Sequence, residues 1–281
     1  MKEWVKEQSL LRRLILVSFV GVLCFLAFSV FASELQLKGE MTQGSLIRGQ
    51  VPVGHQVWLN DIPLKISTDG YFAFGFGRDA KLTQQIKWSD DKGELHIKLL
   101  KLQVRTYDIQ KIEGIPSQYV SPPKEVSERI KRDNQLVAIA RTLNDDRSDF
   151  YQDFIWPAAG PISGVYGSQR VFNGTPKRPH FGVDVASPTG SPVHAPADGI
   201  VTLFVADMYY SGGTMIIDHG HGVSSTFLHL SKGYVAAGTS VKQGDLVAEI
   251  GATGRATGAH LDWRINWFKE RLDPALLVPK R

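Results

Sequence analysis

The chain has 281 residues, 43% of them hydrophobic and 21% charged, with a formal net charge of +4. This is the composition of a globular protein with room for one large or two modest domains, which excludes a disordered or fibrous chain. The mild positive charge suits an anionic polymer or an envelope surface. Without an aromatic-plus-basic cluster it does not point to nucleic acid, and no nucleic-acid partner is expected.

Lys2, Lys6, Arg12 and Arg13 precede an apolar run from Leu14 to Ala32, and Val30-Phe31-Ala32 offers a cleavage site before Ser33. Residues 1–32 therefore read as a secretory signal peptide. The run is roughly 19 residues, about the length of a transmembrane helix, so an N-terminal membrane anchor is the alternative. In both cases the positive flank places the remainder outside the cytoplasm, in the periplasm or cell envelope. The only cysteine, Cys24, lies inside the run, and Leu23 before it does not fit a lipoprotein signal. The exported part thus has no disulfide and no thiolate, and any metal in it must be held by histidine and carboxylate.

Residues 33–115 read as a small β module. Ser45–Val51, His55–Leu59, Tyr71–Phe76 and Leu95–Val104 are alternating or β-rich, and Asn60-Asp61 and Asp69-Gly70 supply turns. A β-sandwich-like arrangement is expected, with its aromatic residues in the core and a spacer role. His55 and His96 have no partner motif there. Pro116, Pro122 and Pro123 then bound a linker over 116–148, in which Lys124 to about Leu143 has the helical period at Val126, Ile130, Val137 and Ala140 or Arg141.

Residues 149–281 are again β-rich. Gly199–Val205, Thr214–Asp218, Ser224–His229 and Ser240–Ile250 read as strands with glycine turns between them. No long helix is evident, so a mostly antiparallel β domain with a groove is expected. Two stretches carry chemistry. His180 and Asp184 would lie about 13 Å apart if fully extended, too far for one ion. Pro179 and Gly182 disfavour a helix, so a bent loop or bulge is expected, with Gly182 allowing the bend. In His260–Trp267, polar and apolar residues alternate strictly. His260, Asp262, Arg264 and Asn266 then share a face, with the Cα atoms of His260 and Asp262 roughly 6.5–7 Å apart, and Leu261, Trp263, Ile265 and Trp267 point to the other, buried one. His194, His219 and His221 sit in glycine- or proline-flanked loops with structural or exposed roles expected. Arg255 and Thr257 either line the groove or are ordinary turn residues.

These elements resemble the lysostaphin/LytM family of zinc metallopeptidases. The resemblance spans about Trp156 to Pro274. It includes Trp156-Pro157, His180-x-x-x-Asp184, Ala195–Gly199, Ile217–Gly220, Leu228-His229-Leu230, Thr253–Gly258 and the His260-x-Asp262 strand. It implies a LytM-like fold for the C-terminal domain, so the fold class is mostly β: a β-sandwich-like module, a helical linker and an antiparallel β peptidase domain. It also implies one Zn(2+) per domain, peptidoglycan peptide stems as partners and hydrolysis of their cross-links.

By the same resemblance His180 and Asp184 are zinc ligands, and His229 and His260 act in catalysis. Asp262 stands where the family has its third ligand, the second histidine of His-x-His. As a ligand, Asp262 would add a second negative charge, weaken the metal as a Lewis acid and widen metal choice toward manganese. Otherwise the domain holds no metal, and binds peptidoglycan or activates a wall amidase. Retention of both catalytic histidines favours the enzyme.

Overall fold

The computed structural model describes residues 35–112, 126–172 and 174–281. The signal or anchor segment and the prolines at 116, 122 and 123 lie outside the described residues. The first strands are β1 (Gln36–Lys38), β2 (Leu46–Gln50), β3 (Val57–Leu59), β4 (Ile62–Pro63), β5 (Tyr71–Gly75), β6 (Thr83–Ser89) and β7 (Leu95–Lys101). They form two antiparallel sheets, β1-β2-β5 and β4-β3-β6-β7. Ile47, Phe72, Phe74, Val57, Ile86 and Leu100 fill one core between them, as the sandwich-like expectation requires.

Strand alternation gives β2 and β5 a second buried face. Leu46 and Ala73 point away from that first core and join the core of the C-terminal part, with Phe150, Trp263 and Leu272. Arg48 donates to the Gln152 carbonyl at 2.5 Å, and Arg105 pairs with Asp273 at 2.8 Å. The N-terminal module is therefore packed against its neighbour, which a simple spacer would not be.

Strand β8 (Ile109–Ile112) pairs in parallel with Gln169–Phe172. Helix α1 (Ser127–Ala140) falls within the expected helical segment. Its Val137 and Ala140 pack on Leu203, Met208 and Ile216, and Arg129 pairs with Asp207 at 2.7 Å. Arg141, which caps the helix C-terminus, donates to Thr226 Oγ1 at 2.8 Å.

The remaining strands are β9 (Ile162–Gly164), β10 (Gln169–Phe172), β11 (Thr175–Pro176), β12 (Val183–Ala186), β13 (Pro192–His194), β14 (Gly199–Met208), β15 (Gly212–Asp218), β16 (Val223–Gly233), β17 (Ser240–Val241), β18 (Leu246–Ile250), β19 (His260–Trp267) and β20 (Glu270–Leu272). All but β10 and β11 belong to one sheet whose main path is β17-β14-β15-β16-β19-β12-β9. Its pairings are antiparallel, so the domain is antiparallel β as expected. Central position explains the near-continuous burial of β15 and of β16 as far as Leu230.

Candidate active site

The site forms where β12 and β19 lie side by side. Their register sets Asp184 opposite Asp262 and Ala186 opposite His260. His180 precedes β12 in a loop pinned by two backbone bonds, His180 N to Ser168 O and Gly167 N to His180 O, both 2.8 Å. A bulge interrupts the pairing of β12 with β9 between Asp184 and Val185. His180, Asp184 and Asp262 each bring one ligand-type atom to within 4.8 Å of the others.

Gly182 has a different role from the one expected. Its φ is not among the positive ones, so it supplies no special bend. Instead a Cβ there would stand 2.4 Å from Asp262 Oδ1 and 2.6 Å from the Trp263 carbonyl. Only glycine lets the loop come this close to β19.

The two remaining histidines adjoin this cluster, with ring centroids 4.8 Å apart. His229 has φ +65, in the left-handed region, in the middle of β16. There the strand leaves β19, whose last partner is Leu228, and joins β18 from Leu230 onward. Such strain, of about 1–3 kcal/mol, persists only where its surroundings hold it. His229 Nδ1 lies 2.8 Å from the Thr253 carbonyl, and His260 Nδ1 lies 2.9 Å from the Gly258 carbonyl. A carbonyl only accepts, so both Nδ1 atoms carry the hydrogen, and the neutral form of each ring has its lone pair on Nε2. Burial, helped by His260 and Arg264, holds His229 below its ordinary value against the pull of Thr253 and Asp262. His229 is thus a neutral acceptor.

Strand period puts Arg264 on the face of β19 that carries His260 and Asp262, but its pairing with Asp262 was not read from the sequence. Its Nε donates to Asp262 Oδ1 at 2.9 Å and its Nη2 to Oδ2 at 2.5 Å. That polar face is also not solvent-facing, because Asp262 and Asn266 are 3% and 1% exposed. Burial works against the Asp262 charge, but the guanidinium outweighs it and holds the carboxyl below its usual range. His180 is half-buried, which works against its charge, yet Asp184 and Asp262 beside it raise it above its ordinary value.

These residues fit a cation. His180 Nε2 and Asp184 Oδ1 are 3.2 Å apart, buried, and too poorly aligned to hydrogen-bond. An ion between them resolves both orphaned atoms. Histidine nitrogen and carboxylate oxygen form a competent zinc donor set. Each Asp262 oxygen has a lone pair to spare after meeting Arg264, so the carboxylate can serve both.

The other singled-out residues lie elsewhere. His219 is fully buried, with Nδ1 2.7 Å from the Asp198 carbonyl and Nε2 2.8 Å from Ser225 Oγ. His221 is also buried, against Phe150, and neither is exposed. Both are structural. His194 is on strand β13 and not in a loop. His55 is buried and His96 stacks on Trp88. Arg255 lies over the Tyr210 ring and Thr257 is exposed.

A comparison with protein families matches residues 178–274 to the model of Peptidase family M23. Those residues are a peptidase family M23 domain. The M23 domain is similar to the peptidoglycan DD-endopeptidase ShyA of Vibrio cholerae, 36% identical over 110 residues, which cover 37% of this chain and 25% of that protein. It is also similar to the DD-carboxypeptidase/endopeptidase Mpg of Neisseria meningitidis, 42% identical over 91 residues, 32% of this chain and 21% of the relative. An uncharacterized metalloprotease of Haemophilus influenzae is 40% identical over 97 residues, 34% of this chain and 20% of its own length. The matched stretch thus spans a quarter or less of these relatives. A crystal structure assigned to peptidase M23 from Pseudomonas aeruginosa has a TM-score of 0.65 at 26% identity. It covers 85% of this chain and 95% of its own. The shared fold therefore extends well beyond the M23 domain.

Proposed function

We propose that the chain is an exported, zinc-dependent endopeptidase that hydrolyses peptide cross-links of bacterial peptidoglycan. The observation that carries this reading is the meeting of His180, Asp184 and Asp262 within 4.8 Å, with His229 and His260 alongside. Relatives named as peptidoglycan DD-endopeptidases support the substrate. Export rests on the charged and apolar segment before Ser33.

In this reading His180, Asp184 and Asp262 hold the metal. When bound, the metal supplies a Lewis acid for the scissile carbonyl and acidifies a water. The chain's own part is proton handling. In the tautomer these contacts fix, the lone pair is on Nε2, so neutral His260, with His229 beside it, takes the proton of the attacking water. The imidazolium so formed can hydrogen-bond the developing oxyanion and pass the proton to the leaving amine. Fixed Nδ1 contacts keep both rings in the required tautomer.

One observation favours a second reading, a metal-free envelope protein that binds peptidoglycan or activates an amidase. Both Asp262 oxygens are already engaged by Arg264. Zinc analysis of the purified chain and digestion of purified peptidoglycan separate the two. Stoichiometric zinc and new peptide ends, both lost in His180→Ala and Asp184→Ala, are expected. Unchanged wall cleavage by those variants would refute the mechanism.

A further inference from the structure

The site is surrounded by more positive charge than it can pair. Arg264 has Asp262. Arg141 reaches Thr226, which is opposite Arg264 in the β16–β19 register, and its buried Nε has no partner. Arg178 and Arg271 both lie over the Phe181 ring, with guanidinium carbons 5.6 and 5.2 Å from its centroid. Among the described residues neither has a hydrogen-bond acceptor or an ion-pair partner. Arg178, Phe181 and Arg271 line a cleft of about 780 Å³ between the N-terminal module and the M23 domain. Its acids are Asp79, paired with Arg78 at 2.8 Å, and Glu270, against Arg78, Arg178, Lys269 and Arg271. The cleft is therefore net cationic, and Arg178 lies only two residues before His180.

We infer that Arg178 and Arg271 form a subsite for a free carboxylate on the peptide substrate, beside the bond that is cut. A half-buried guanidinium such as Arg271 is costly without an acceptor, and a planar carboxylate offers two parallel acceptors to one fork. Phe181 gives both guanidiniums a flat apolar support, leaving their N–H edges to the ligand. The proximity to His180 makes the carboxylate part of the molecule being processed. The inference rests on the proposed peptidase reading for the identity of the ligand as a peptide.

The test uses a stem tripeptide with a free C-terminal carboxylate and the same tripeptide amidated. Neither carries the cross-link that the proposed reaction cuts. Each is titrated calorimetrically into the full zinc-loaded chain, its Arg178→Gln variant and its Arg271→Gln variant. The parent should prefer the free carboxylate by about tenfold or more in Kd, the scale of a charge-assisted bidentate contact. Both variants should lose that preference, the free-carboxylate Kd rising to the amidated value. Arg178 is exposed, so its variant decides the matter even if Arg271→Gln fails to fold. Equal binding of the two peptides by the parent, or a preference that survives Arg178→Gln, overturns the inference. Cleavage of peptidoglycan is assayed separately: discrimination without cleavage sinks the peptidase reading alone, and cleavage without discrimination sinks the carboxylate subsite alone.

Discussion

In the proposed reading Asp262 serves two partners, Arg264 and the metal, and its substitutions separate them. Asp262→Asn removes the charge facing Arg264 and leaves a guanidinium whose side chain is 22% exposed without its counter-ion. The expected cost is roughly 2–3 kcal/mol, below that of a fully buried pair because water reaches Arg264. Zinc affinity should fall as well, and thermal unfolding with a parallel zinc titration checks both. If Asp262→His leaves zinc affinity unaltered, Asp262 is not a ligand. Arg264 also answers the charge objection to an Asp ligand, since its positive charge offsets the additional negative one.

His219 is a purely structural test at the same scale. Burial pushes its imidazole from 6.5 down to about 4. Below its ordinary value the unfolded chain binds a proton that the folded one refuses, so stability falls as pH drops from 6.5 to about 4 and then levels. The loss amounts to about 3 kcal/mol at most. Asp218, raised to about 6 by burial, moves stability the other way in part of that window, so the parent must be compared with a variant. His219→Gln should make the slope of Tm against pH between 4 and 6.5 less positive than the parent's, leaving the opposite slope of Asp218 exposed. An unchanged slope would remove His219 from the account.

At the scale of elements, the site is a consequence of two strands and a loop that must touch. Gly182→Ala places a methyl against Asp262 Oδ1 and the Trp263 carbonyl. The His180 loop and β19 then have to separate, at a cost of about 1–3 kcal/mol. Zinc affinity should drop with it, because His180 and Asp262 are on opposite sides of that contact. A calorimetric zinc titration and a melting curve read the two effects together. The strand alternation of β19 was legible from polar–apolar period, and a loop at His180 from spacing. The close approach at Gly182 was not, since a glycine chosen for closeness looks in sequence like one chosen for a turn. Arg264 was legible in principle, but its pairing depends on the second face of β19 being buried, which a two-period pattern with one apolar face does not announce.

For the whole molecule, the shared core is what joins the parts. Leu46 and Ala73 from the N-terminal module meet Leu272 and Phe150 in one cluster. Leu272→Ala should therefore cost about 2–5 kcal/mol. The described modules should unfold in a single calorimetric transition, in the parent and in the variant. Two resolved transitions in the parent would show that the modules are independent despite their contact. The same packing creates the cleft in which Arg178 and Arg271 are found, so the N-terminal module supplies one wall of it.

Sequence alone determined the mostly β class, the C-terminal peptidase resemblance, and the identity of His180, Asp184, His229, His260 and Asp262 as the residues to watch. Those conclusions rest on period, residue type and order, which are local and survive without coordinates. Tertiary structure alone decided that Asp262 is bound to Arg264, that His219 and His221 are core residues, that β2 and β5 serve two cores, and that Arg178 and Arg271 meet over Phe181. Each depends on what packs against a residue from a distant part of the chain, and burial and pairing across such distances leave no periodic trace in the residues themselves.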